Sequence, residues 1–370
     1  MEDLGLNTLF DGVYRDRSVL ITGHTGFKGS WLALWLHTLG ARVAGFSLPD
    51  CTVPSHYKLL DLNIQHFTGD IRDVEAIAEV VKKTKPEIIF HLAAQSLVRE
   101  SYRNPIYTYQ TNVIGTLNLL EAVRNIGTVK ALVNITTDKV YENQEWHWPY
   151  RENDVLGGFD LYSSSKACSE ILTSSYRNSF FSLKDYTNKH HTLIATARAG
   201  NVIGGGDWAK DRLVPDIMRA TEMGEAVEIR YPNAVRPWEH VLEPLSGYLL
   251  LGQHLLRGSV GASRAFNFGP TDNQALSVAA VLNQFSTYWP KLKWRSENQQ
   301  SSEFHEAGIL KLDCSLAQQL LLWKSVWGIE KTLKNTADWY REYYDHKAVI
   351  SIKQLLRYIE DAKEQKAIWS

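Results

Sequence analysis

The feature that most constrains the fold is a repeated alternation. Short, almost uninterrupted apolar runs alternate with amphipathic stretches through the first half of the chain. "SVLIT" (18–22), "RVAGF" (42–46), "IQHFTGD" (64–70), "EIIFHLA" (87–93), "KALVNIT" (130–136) and "HTLIATA" (191–197) read as strands. Helical patterns occupy 28–40, 73–84, 106–126 and 161–180, with Asp73 placed to cap the second and lysines in its last turn. Strands without a polar face are buried on both sides. The pattern therefore predicts a parallel sheet covered by helices on both faces, an α/β doubly wound architecture of the Rossmann type.

The regularity loosens after about residue 200. "GNVIGGGDW" (200–208) is too glycine-rich for a regular element, and helical stretches at 211–223, 276–287, 331–344 and 347–366 then dominate. A smaller, mostly helical part packed against the sheet is expected. The 370 residues suffice for two such units.

Bulk properties exclude several classes. A formal net charge of −1 provides no field for nucleic acid or an anionic membrane. No apolar run reaches the ~18 residues of a membrane span. The opening "MEDLGLNTLF", with Glu2 and Asp3, lacks the basic start of a signal peptide. Cys51, Cys168 and Cys314 form no pair at metal or disulfide spacing, which fits a reducing cytoplasm. The histidines, including the His190-His191 pair and His240, have no metal-ligand spacing, so no metal is expected.

Chemistry enters at the strand ends. "ITGHTGFKG" places Gly23, Gly26 and Gly29 between the first strand and the first helix, where glycines let backbone approach a pyrophosphate and the helix N-terminus favours its charge. Lys28 can add positive charge there or remain a solvated lysine. The second strand ends on Ser47, where an acid usually binds the ribose of NAD, with Asp50 further on; at this position both NAD and NADP stay open. Asp70 and Ile71 end the third strand, and Leu92, Ala93 and Ala94 are small enough for a cofactor to lie across the fourth. Gln95, Ser96 and Arg99 follow within reach of a substrate.

"LYSSSKACSE" sets Tyr162 and Lys166 four residues apart, on one helical face. At about 5 Å and an effective dielectric near 20, a lysine stabilises a phenolate by roughly 3 kcal/mol, about two pKa units. That shift would make the tyrosine a base. Upstream, "ITTDKVYEN" closes a buried strand on Thr137, Asp138 and Lys139, an acid beside a base.

Together "GHTGFKGSWL", "TTDKVYEN", "GNVIGGGDW" and "RPWEHVLEPLSGYL" resemble the extended short-chain dehydrogenase/reductases that modify nucleotide sugars, and within them the branch that dehydrates CDP-glucose. The resemblance covers nearly the whole chain. It implies an NAD-dependent lyase in which Thr137, Tyr162 and Lys166 form the catalytic triad. Asp138 is then the acid and Lys139 the base, or an electrostatic support, of an elimination. Most dehydratases of the family carry glutamate at the lysine position; the CDP-glucose branch shares the departure. The implied cofactor set is Gly23, His24, Thr25, Gly26, Phe27, Lys28, Gly29, Ser47, Asp70, Ile71, Leu92, Ala93, Ala94 and Thr111, with Tyr162 and Lys166. Asn201 and Arg236 fall on the family's diphosphate-binding positions, and Arg212, Leu213 and Val214, in "DRLVPDIM", on the segment that closes over the base.

The resemblance further implies two divisions, 8–200 plus 236–268 for NAD and 201–235 plus 269–366 for the nucleotide sugar. It also implies a homodimer formed through a four-helix bundle of the 106–126 and 161–180 helices, whose Val113, Leu117, Leu120, Ile171 and Leu172 are apolar on more than one face. The competing readings are a nucleotide-sugar 4-epimerase, which needs no elimination acid, and a non-catalytic NAD-sensing regulator, which would not need to keep both Tyr162 and Lys166.

Overall fold

The computed structural model describes residues 5–50, 52–229, 231–270, 276–296 and 308–370; Glu2, Asp3 and Cys51 lie outside them. The expected alternation is present. Seven parallel strands form one sheet in the order Ala265–Phe268, Leu193–Ala199, Ala131–Ile135, Ile88–His91, Ser18–Thr22, Arg42–Ser47 and Gln65–Thr68. The order reverses between Ile88–His91 and Ser18–Thr22, which opens a crevice beyond the carboxyl ends of the strands.

Side chains alternate across the sheet as a period of two requires. Leu20, Ala44, Ile89, Leu132 and Ile194 point to one core beneath the helices Val74–Thr84, Gly115–Ile126 and Leu161–Ser179. Val19, Ile21, Phe90, Val133 and Ala195 point to the other, beneath Phe27–Thr38 and Leu242–Leu256. Asp73 caps Val74–Thr84 by accepting from the Ala76 amide, as its position in sequence predicted.

The structure adds detail that the sequence reading did not give. Leu242–Leu256 is a helix packed between the sheet and the C-terminal region; it is buried nearly all round, so no amphipathic period announces it. The glycine-rich 200–208 stretch contains strand Asn201–Ile203, which pairs in parallel with Trp238–His240, and the part expected to be mostly helical also pairs Ala226–Ile229 with Lys293–Ser296. Helix Ser351–Glu364 lies against Phe27–Thr38 through Trp35 and Tyr358, on the nucleotide side of the molecule. Among the described residues no helix is long and apolar enough to cross a membrane.

Candidate active site

Because the sheet is parallel, every strand delivers its carboxyl end to one edge. Gly23 follows Thr22, Leu92 follows His91, Thr136 and Thr137 follow Ile135, and Asn201 follows the Leu193–Ala199 strand. These ends line a cleft of ≈ 1620 Å³. Typical single-ligand pockets hold about 300–1,000 Å³, so this one is large enough for two ligands side by side.

The glycine turn forms the cofactor end. A Cβ on Gly29 would sit 2.1 Å from the Gly23 carbonyl oxygen, and one on Gly23 would sit 2.7 Å from the Ala93 nitrogen. Only bare backbone fits there, and helix Phe27–Thr38 begins directly above it. A pyrophosphate fits this cradle. Thr111 fits as well: it lies in the π-helical turn Gln110–Ile114, borders the cleft, and its buried hydroxyl has no hydrogen-bond partner. At the second strand end Ser47 bonds Thr25 and the Leu48 carbonyl, and no acid borders the cleft there; Asp50 is turned to Lys58 and Ser55. Asp70 grips Arg72, whose guanidinium stacks 4.6 Å from the Tyr107 ring centroid. Arg72 holds the Asp70 carboxyl below its usual range.

One expected cofactor residue is placed otherwise. His24 alone of the named set does not border the cleft; its ring lies beneath Gly45, edge-on to Tyr57, with Nε2 2.7 Å from His66 Nδ1. Burial, with the neighbouring His66, pushes its pKa down to about 4. Lys28 is no surface lysine. Its ammonium reaches inward to the Tyr248 hydroxyl at 3.5 Å. Burial pushes it down to about 8, opposed by the Glu239 and Asp138 carboxylates.

The candidate catalytic residues Thr137, Asp138, Lys139, Tyr162 and Lys166 all line this cleft. Asp160 caps helix Leu161–Ser179 by accepting from the Ser163 amide at 2.9 Å, which sets Tyr162 in the first turn, at the positive end of the helix dipole. Asp138 is 2% exposed, and burial raises its carboxyl pKa against the pull of Lys139 and the Thr137 hydroxyl. The Thr137 hydroxyl donates to Asp138 Oδ1 at 3.0 Å, while Oδ2 has no partner.

The electrostatic expectation for Tyr162 is corrected here. Burial pushes the phenol up, to about 12, and Thr137 and Arg212 oppose the rise, whereas Lys166 does not figure among the causes. The Lys166 ammonium bonds the Ile135 carbonyl at 2.9 Å, and burial, with the nearby Lys28 charge, lowers it to about 8. Helical spacing shows that the two side chains share a face; it carries no information about how deeply the phenol is buried.

Behind these residues lies a network the sequence reading missed. Glu170 accepts from Thr136, Thr196 and both ends of the Arg198 guanidinium, each charged side chain being 3% exposed. Arg198 also bonds the Tyr141 hydroxyl and the Glu152 carbonyl, so it ties strand to loop and does not border the cleft. Glu170 stands four residues after Lys166, one turn further along the same face, and that spacing could have revealed it.

On the substrate side Arg212 bonds Ser96 at 2.9 Å and Asp207 at 3.0 Å, and Arg99 pairs with Asp211 at 3.2 Å; both guanidinium links cross the cleft. Gln95 borders the cleft, but its amide is committed to Leu97 and Thr108. Arg236 is buried, donates to the Val235 and Gly308 carbonyls, and lines the cleft with Asn201, Leu213 and Val214. Among the described residues no three His, Cys, Asp or Glu are grouped to hold a metal ion.

A Rossmann sheet, and a glycine cradle and a Tyr-Lys helix lining one large cleft, define a dinucleotide-binding protein with room for a further ligand. Residues 20–336 match the family model described as GDP-mannose 4,6 dehydratase, and the chain belongs to that family. A CDP-glucose 4,6-dehydratase of Salmonella typhimurium is 49% identical over 333 residues, covering 89% of this chain and 92% of that one. A dTDP-glucose 4,6-dehydratase of Xanthomonas campestris is 26% identical, with coverages of 87% and 92%. The Thermus thermophilus UDP-glucose 4-epimerase, solved in complex with NAD, shares the fold with a TM-score of 0.75 at 22% identity, covering 87% of this chain and 98% of that one.

Proposed function

We propose that this chain is an NAD-dependent hydro-lyase that converts CDP-glucose to CDP-4-keto-6-deoxyglucose. One combination carries the reading: a buried acid, Asp138, and Lys139 directly after Thr137, facing Tyr162 and Lys166, in a chain 49% identical to a CDP-glucose 4,6-dehydratase over 89% of its length. The epimerases among its relatives are only about a quarter identical, for example 25% for that of Erwinia amylovora, and epimerisation needs no acid for a departing hydroxyl.

The cradle Gly23–Gly29, Thr111 and the strand ends at Ser47, Asp70 and Ala93 would hold NAD. The chemistry that bound NAD supplies is temporary storage of the two electrons and the hydrogen that leave carbon 4 and return at carbon 6. Tyr162 removes the proton of the 4-hydroxyl, the helix dipole, Thr137 and Arg212 working against the burial that raises its phenol, and Thr137 hydrogen-bonds the same oxygen. The new ketone acidifies carbon 5; Lys139 takes that proton and later returns it. Asp138, whose carboxyl burial pushes above its ordinary range, protonates the 6-hydroxyl, which leaves as water. Arg236 and Asn201 would face the diphosphate, and Arg212, Leu213 and Val214 the nucleoside.

The chain divides for this task into 8–200 plus 236–268 for cofactor and 201–235 plus 269–366 for substrate, the last helix riding on the cofactor side. It works as a homodimer. Helix Pro105–Tyr109 and its continuation to Ile126 expose Ile106 (73%), and Leu161–Ser179 exposes Ile171 (58%), on faces turned from the sheet. The unbridged thiols of Cys168 and Cys314 suit a cytoplasmic setting.

The test is incubation with CDP-, dTDP-, GDP- and UDP-glucose, followed by the ultraviolet absorbance of a 4-keto-6-deoxy sugar in alkali. CDP-glucose is expected to give the signal; equal turnover of all four would sink the CDP assignment, and interconversion of glucose and galactose without the signal would make the protein an epimerase.

A further inference from the structure

The glycine-rich stretch 200–208 carries a second task besides its short strand. Gly204, Gly205 and Gly206 lead to Asp207 and Trp208. A Cβ on Gly205 would lie 1.9 Å from the Trp339 ring, and Gly206, at a φ of 85°, would place one 2.4 Å from the His56 ring. Bare backbone at these two positions lets helix Ile329–His346 seat directly on the segment. The Tyr340 hydroxyl of that helix then holds Asp207 by both main-chain groups. It donates to the Asp207 carbonyl at 2.5 Å and accepts from the Asp207 amide at 3.1 Å. Trp208 enters the same ring cluster, with centroids 5.5 Å from Trp339 and 5.1 Å from Tyr343.

The Asp207 side chain passes this fixity on. One carboxylate oxygen accepts from the Ala209 amide at 3.0 Å, the other from Arg212 at 3.0 Å. Arg212 in turn reaches Ser96 on the opposite bank of the cleft at 2.9 Å. The two charged side chains differ in exposure, 7% for Asp207 and 33% for Arg212. A guanidinium on a flexible, partly exposed stem samples many rotamers unless something holds it.

We propose that Asp207 is a positioning residue, which holds the Arg212 guanidinium across the cleft in the arrangement that meets the nucleoside diphosphate. This rests on the placement of Arg212 at the nucleotide and adds what fixes it there. Ordering the side chain in advance lowers the cost that binding would otherwise carry. When the nucleotide enters, the bond to the neutral Ser96 hydroxyl is the one to exchange, while the ion-paired bond to Asp207 stays. Substrate affinity therefore depends on helix Ile329–His346, although no residue of that helix borders the cleft.

The experiment titrates CDP calorimetrically into the NAD-loaded protein and its variants. Arg212→Met is expected to weaken CDP by about 10–100-fold, the range for losing a hydrogen bond from a charged group. Asp207→Leu keeps the volume but offers no acceptor. It should weaken CDP by about tenfold, the upper end of the cost of ordering one long side chain at an interface. Added to Arg212→Met it should cost nothing more, because Asp207 acts only through that guanidinium. NAD binding should be unchanged in both. Should leucine prevent folding, Tyr340→Phe leaves the Asp207 side chain in place and frees its main chain. It should weaken CDP by about two- to tenfold, the range for one neutral hydrogen bond, and again have no effect beside Arg212→Met.

Unchanged CDP affinity in Asp207→Leu, with Arg212→Met weakened, would show that the arginine needs no holder and overturn the proposal. A further loss when Asp207→Leu joins Arg212→Met, or a parallel loss of NAD, would make Asp207 a support of the whole cleft and overturn it equally. If Arg212→Met binds CDP as the wild type does, the placement of Arg212 at the nucleotide is wrong, and the proposal falls with that reading. No binding of CDP by the wild type would instead sink the CDP-glucose assignment itself.

Discussion

The Lys166 ammonium donates a 2.9 Å hydrogen bond to the main-chain carbonyl of Ile135, two residues before Thr137. One helical turn further on, Glu170 accepts from Thr136. The helix that carries Tyr162 is thus tied twice to the strand end that carries Asp138. The two groups proposed for the proton chemistry are held in one frame, as a catalytic site requires to within about half an ångström.

Glu170 anchors that frame. Glu170→Gln leaves the buried Arg198 guanidinium without its counter-charge, and such a break typically costs about 3–5 kcal/mol. Urea denaturation is expected to report a loss in that range. A double replacement of Glu170 and Arg198 by methionine should lose less, because no unpaired charge stays buried. A single-variant loss below about 1 kcal/mol would mean that the pair supports little.

Tyr162, Asp138 and Lys139 should fail at different steps. In Tyr162→Phe neither reduced cofactor nor product is expected. Asp138→Asn keeps the shape and still permits oxidation at carbon 4, so bound NADH should accumulate while product falls by about 10²–10⁴-fold. Lys139→Met should abolish exchange of the carbon 5 proton with deuterated solvent; retained exchange would leave Lys139 as an electrostatic support and require another base.

His56 should make stability fall in acid. It is buried between the hydroxyls of Ser30 and Ser351, each 2.8 Å away, and burial pushes its pKa down from 6.5 to about 3. Between those values the unfolded chain binds the proton that the folded chain refuses, so stability present above pH 6.5 is lost as pH falls. The stability difference between wild type and His56→Gln should shrink by about 1.4 kcal/mol per pH unit across that window. A difference that does not change with pH would show that protonation of His56 is not coupled to unfolding.

Cofactor choice should favour NAD modestly. No carboxylate borders the cleft at Ser47 to repel a 2′-phosphate, so discrimination lacks its usual repulsive element. Calorimetric titration with both dinucleotides is expected to give less than a thousandfold difference, about 4 kcal/mol. A wider gap would mean that another acid does this work.

The exposed isoleucines give the dimer its test. Sedimentation at micromolar concentration should find two chains together, and Ile106→Asp combined with Ile171→Asp should separate them. A wild-type monomer would end the proposal.

The nucleotide half was the more legible part of the sequence because a parallel sheet writes itself in local runs. Each buried strand is a short apolar word, and each crossover helix has a period that burial on one side demands. Asp73 could be read as a cap because capping acts over three residues. Helix Leu242–Leu256 escaped because it is apolar on every side, and the pairing of Asn201–Ile203 with Trp238–His240 because it joins segments far apart in the chain. At the site the pattern was local: Tyr162 with Lys166, and Thr137 with its two neighbours. What those groups experience was not. The burial that raises Tyr162 and the inward course of Lys28 arise from residues as distant as Tyr248, and no spacing rule reaches that far.

The crowding around the glycine turn also bears on descent. With 2.1 Å between a would-be Cβ of Gly29 and the Gly23 oxygen, every single-codon step away from glycine there passes through a chain that cannot close its turn. Ser47 borders the same cleft without that barrier. Lineages that drift in dinucleotide preference would therefore do so around codon 47 and leave codons 23 and 29 frozen. A library randomised at all three and selected for growth on a new cofactor would keep its diversity at the serine alone.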